Sequence, residues 1–149
     1  MRKKLEEEIL KHSKAKNIEE AKTEWRVLEI RYNEKPLECL CWQKNIKNIW
    51  LIRNKETGEE FILWENCIDY FLNQDYSFFF NDIKKIAKDI TKAVSTDTLH
   101  YCMEKWFIYS NDICFYETFS KCRKIENLPY QLEVRKQINR EILAKCYRK

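Results

Sequence analysis

Two cysteines one residue apart, Cys39 and Cys41, stand ahead of a hairpin signal, and a third, Cys67, stands at the opening of a helical pattern behind it. Loop, ribbon and helix in that order are how a small zinc module brings distant thiolates to one point. Within the stretch Glu38 to Leu72, Ile49–Arg53 and Glu60–Trp64 read as strands. The linker Asn54-Lys55-Glu56-Thr57-Gly58 places glycine last, which suits a type I turn closed by a left-handed residue. Asn66 is placed to cap the helix that carries Cys67, Ile68, Phe71 and Leu72.

Gly58 is the only glycine among 149 residues. With so few positions that accept positive φ cheaply, Asn, Asp and Ser must build the turns, and helices are favoured. Hydrophobic residues make up 44% and aromatics 14%, enough for one packed core. The expectation is a single α+β domain. It comprises an N-terminal helical extension over 1–22, a β-hairpin or treble-clef-like cysteine module over 24–73, and a mainly helical part over 80–147.

Other elements follow from spacing. Residues 2–16 read as a charged helix with Leu5 and Ile9 on its apolar line, and its Arg2-Lys3-Lys4 start opposes the helix dipole. Asn17 with Glu20 resembles a capping box. Trp25–Tyr32 alternates as a strand, Leu28, Ile30 and Tyr32 opposite Trp25 and Val27, and Pro36 ends it. Further helices are expected from Asn81, from Ser95 or Thr96, from Asn111 and from Asn127-Pro129.

The run from Glu24 to Ile30, the CLC at 39–41, LIRNKETG at 51–58 and NCIDYF at 66–71 resemble a family of small uncharacterised bacterial and bacteriophage proteins. Related cysteine modules occur in large DNA viruses. The likeness continues through FYETFSKCRKI and QLEVRKQINREIL and spans roughly residues 24–143. It implies a zinc module and no defined activity. The chain departs from the family pattern where Trp42 and Trp64 replace turn glycines, Trp50 replaces a cysteine and Gln43 replaces a histidine.

Structural zinc takes four ligands, and Cys39, Cys41 and Cys67 supply three. Cys67, near a helix N-terminus, is expected to have its thiolate favoured by the dipole. Cys102, Cys114, His100 and His12 are the candidates for a fourth ligand, and spacing selects none of them. The competing reading is a metal-free module in which Trp42, Trp50 and Trp64 form an apolar plug and the cysteines are small buried hydrophobes. Cys102, Cys114, Cys122 and Cys146 read more simply as packing residues of helices or their ends.

No Gly-rich phosphate loop, H-E-x-x-H or G-x-S-x-G motif is present, and the chain has two histidines, so an enzyme is not expected. The net charge of +4 is unevenly spread, with +6 over residues 121–149 and −6 over 56–75. Opposite charge at the two regions, with the Phe78-Phe79-Phe80 run, points to a protein partner or self-association. The alternative is a nucleic-acid accessory role in which Lys121, Arg123, Lys124, Arg135, Lys136 and Arg140 contact phosphates of DNA or RNA. MRKKLEEEIL turns acidic where a secretory signal is apolar, and no run is long enough to span a membrane. With seven cysteines, an odd number, these features lead to the expectation of a cytoplasmic protein without disulfides, in the host cytoplasm if viral.

Overall fold

The computed structural model describes residues 2–120 and 129–149, apart from the side chains of 119 and 120. The fold is α+β, with a helical C-terminal half. Where the sequence suggests one domain, contacts divide the chain into two compact units, Met1–Asp75 with Lys149 and Tyr76–Arg148. Among the described residues no helix is long and apolar enough to cross a membrane.

The first unit holds α1 (Arg2–Lys11), α2 (Ile18–Glu24), β1 (Trp25–Leu37), β2 (Ile46–Asn54), β3 (Glu60–Leu63) and α3 (Glu65–Leu72). β2 pairs antiparallel with both β1 and β3. The expected hairpin forms: Gly58 sits at φ +76 and donates its N–H to Asn54 O at 2.9 Å. Asn54 holds the turn further, its Oδ1 accepting from Glu56 N and Thr57 N at 2.7 and 3.1 Å. Its side-chain amide donates to Glu24 Oε2 at 3.0 Å, so the turn is tied to the end of α2.

β1 departs from simple alternation. A register shift between Val27 and Glu29 adds a residue and reverses the phase, so Trp25 and Ile30, five apart, are both buried. Pro36 does not end the strand; it lies within a second irregularity between Tyr32 and Leu37, where a missing N–H is tolerated. Asn17 caps α2 as expected, accepting from Glu20 N at 2.9 Å. Asn66 does not cap α3: Trp64 holds that position without a side-chain bond, and Asn66 lies inside the helix.

The second unit holds α4 (Ser77–Lys88), α5 (Thr96–Glu104), α6 (Ser110–Ser120), α7 (Pro129–Cys146) and the two-residue strand β4 (Tyr147–Arg148). Asn81 lies inside α4 rather than at its start. The helix begins earlier because Phe79 and Phe80 bury their rings together with Ile83 and Ile86, which leaves only half-buried Phe78 of the expected aromatic surface at 78–80. Asn127 lies outside the described residues, while Ser95 caps α5 as expected.

Polar groups organise this unit's interior. Buried Asp82 accepts from Ser95 N and Oγ at 2.8 and 2.7 Å and from Thr98 Oγ1 at 2.6 Å, fastening α4 to the start of α5. Asn139 donates to Ile90 O and Lys92 O, both at 2.8 Å, and accepts from the Tyr116 hydroxyl at 2.8 Å. Burial pushes the Tyr116 hydroxyl up to about 12, so it stays a donor throughout the physiological range. Cys102 and Cys146 are buried here, and the Cys102 thiol is pushed up by its hydrogen bond to Cys146 and by burial.

Candidate metal centre

The segment between β1 and β2 turns sharply at the first two cysteines. Trp42 N donates to Cys39 O at 2.8 Å, and Cys39 N donates to Gln43 O at 2.9 Å. The fold therefore needs a left-handed residue here, and Trp42 adopts φ 74 in spite of its Cβ. Leu40 N donates to Ile62 O at 2.9 Å, which ties the turn to β3. β3 leads through Trp64 into α3, where Cys67 occupies the first turn.

This path brings the sulfurs of Cys39, Cys41 and Cys67 within 4.8 Å of one another. All three residues are buried, at 2%, 6% and 1% exposure. A zinc ion with Zn–S bonds of about 2.3 Å places two sulfurs of a tetrahedron ~3.8 Å apart, so the donor set fits with little movement. Among the described residues no further His, Cys, Asp or Glu joins the cluster.

His12, the one candidate for a fourth ligand within the first unit, is engaged elsewhere. His12 Nδ1 lies 3.1 Å from Glu59 Oε1, and its ring stacks at a tilt on Phe61 with centroids 4.6 Å apart. His100 and Cys114 are exposed, and Cys102 pairs with Cys146.

The three thiols differ in their surroundings. The Cys67 thiol donates to the Cys39 sulfur, which also receives the backbone N–H groups of Cys41 and Trp64 and the Cys41 thiol. These donors outweigh burial and hold Cys39 below the ordinary thiol range. Cys67 is pushed up, because its proton is bound to Cys39 and because it is buried. The negative charge of the cluster is therefore shared through the Cys67–Cys39 hydrogen bond, with two backbone N–H groups directed at the Cys39 sulfur.

The three tryptophans do not form a common plug. Trp50 is 1% exposed and belongs to the sheet core, between Ile30 and Leu63 in register. Trp42 is 56% exposed, and Lys4 Nζ stands 3.4 Å from the centroid of its ring. Trp64 is half-buried and donates its indole N–H to Cys67 Sγ at 3.1 Å. That donor role was not read from the sequence. The available signal was the i to i+3 spacing of Trp64 and Cys67 across a helix start, where side chains meet.

The expected phosphate-binding set is scattered. Lys121, Arg123 and Lys124 lie outside the described residues. Arg135 is 5% exposed, donates to Thr91 O at 3.2 Å and stands 5.8 Å from the Tyr116 ring centroid, so it packs the second unit's interior instead of a surface. Lys136 pairs with Glu133 at 2.9 Å, and Arg140 is exposed.

Beside Cys39 lies an open groove of about 540 Å³ whose walls include Leu40, Trp42, Phe61 and Ile62 with the carboxylates of Glu38 and Glu60. No family model, curated protein or solved structure matches the chain.

Proposed function

We propose that the protein is a non-enzymatic zinc module that uses a metal-braced face to engage a protein partner. The observation that carries this reading is the convergence of three buried sulfurs from a turn and a helix start. Cys39, Cys41 and Cys67 would hold the ion, which would cross-link that turn to α3; water or a partner atom would fill the remaining position. The N–H donors on Cys39 and Cys67 favour the anionic sulfur that a metal needs. The groove beside Cys39 has mainly apolar walls, and of its two acidic residues Glu60 is already held by Arg53, which suits a partner segment that is chiefly apolar.

The alternative, a nucleic-acid role for the basic C-terminal segment, draws on Lys136 and Arg140 alone among the described cations of that set. Elemental analysis of the full chain, purified without added metal, tests the main reading. One zinc per chain is expected. No zinc, together with no uptake on titration of the reduced protein, would overturn it.

A further inference from the structure

The cluster offers three sulfurs and, among the described residues, no fourth protein ligand. Zinc then needs a ligand from elsewhere, in a place where the three cysteines are at most 6% exposed. Net charge matters as well. Three thiolates with a dication leave one uncompensated negative charge in a buried setting, and burying such charge is costly. Three thiolates with a trivalent centre leave none.

We propose that this cysteine cluster is a binding site for a trivalent, three-coordinate thiophilic centre of the arsenite class, which displaces zinc from it. The inference rests on the same three-sulfur site as the proposed function. All-sulfur donor sets select soft acceptors, and a pyramidal three-coordinate acceptor is satisfied by the ligands present. The step balances without an oxidant. Three As–S bonds form and three As–OH bonds break; each hydroxide leaves as water with a proton from a free thiol or, where the sulfur is a thiolate, from solvent. From the zinc-loaded site the ion leaves as the dication; arsenic and sulfur keep their oxidation states. The second unit's Cys102 and Cys146 provide an internal contrast, because two sulfurs leave one As–O bond in place.

The test uses full-length reduced protein and sodium arsenite, with X-ray absorption at the arsenic edge. The expected result is one arsenic with three sulfur neighbours and no oxygen, retained when Cys102 and Cys146 are both changed to Ala. Cys67→Ser should weaken arsenite binding by more than the roughly 10–100-fold that loss of an outer partner costs. Zinc-loaded protein should release its zinc to a chromogenic chelator when arsenite is added. A mixed sulfur and oxygen shell in the protein with Cys102 and Cys146 both changed to Ala would overturn the proposal, even if Cys67→Ser failed to fold. Zinc binding without arsenite binding would overturn this inference alone. Three-sulfur arsenite binding without zinc uptake would overturn the zinc reading alone, and uptake of neither would remove the site.

Discussion

In the second unit Asp82, Arg135 and Asn139 are buried, and each is matched by hydroxyls, backbone N–H groups or carbonyls from neighbouring segments. In the first unit three sulfurs face one another, and the donors among them include thiols, which are weak. Those three side chains of the second unit find their partners within the chain. The first unit has gathered acceptors that share too few protons, and such a cluster gains most from an added cation. Burying polar groups is common to both units; what separates them is whether the chain supplies the partners itself.

On the proposed zinc reading, the strongest way to break this contrast is to remove the metal. A chelator should cost the first unit several kcal/mol, seen as lost amide-exchange protection in β2, β3 and α3, while α4–α7 stay protected. Equal loss in both units would contradict it. The second unit is attacked by Asn139→Leu, which strands the Ile90 carbonyl, while Lys92 O keeps the Tyr116 hydroxyl and that hydroxyl keeps Val94 N. At about 1–3 kcal/mol for a stranded group, unfolding should become easier by ~1–3 kcal/mol, with zinc affinity unchanged.

Trp64→Phe sharpens the comparison. Loss of the indole N–H should lower zinc affinity about 10–100-fold, yet shift the denaturation midpoint of metal-free protein only slightly. The smallest effect is acid sensitivity at the end of α2. Glu24 lies below the usual carboxylate range because it accepts from Asn54 and from the N–H groups of Lys14 and Ala15. A depressed folded pKa adds stability above the unfolded value and loses it as pH falls through the folded one. Stability of the first unit should therefore drop as pH falls below the ordinary carboxylate range, and Glu24→Gln should flatten that drop in thermal melts.

Much of this was legible at residue level. The Asn54–Gly58 turn, the Asn17 and Ser95 caps and the meeting of Cys39, Cys41 and Cys67 follow from local chemistry that sequence displays directly. The face of α7 was harder to read. Arg135, Ile138, Asn139, Ile142 and Cys146 form a buried stripe at helical spacing, but a guanidinium and an amide on it disguise the periodicity. Asp82 hides in the same way beside Phe79, Ile83 and Ile86. The bulge in β1 and the hydrogen bonds that lower the Cys39 thiol depend on strand register and on N–H groups aimed by the fold, and neither is a property of composition.

Trp42 and Trp106 turn the backbone at φ 74 and 62, positions where a Cβ costs about 1–2 kcal/mol. Against the 5–15 kcal/mol that holds a typical domain together, two such corners are a substantial fraction. Heat tolerance in this protein can therefore be raised by deleting side chains instead of adding contacts. Residue 106, 80% exposed, is the place to begin, since residue 42 would also give up its stacking on Lys4.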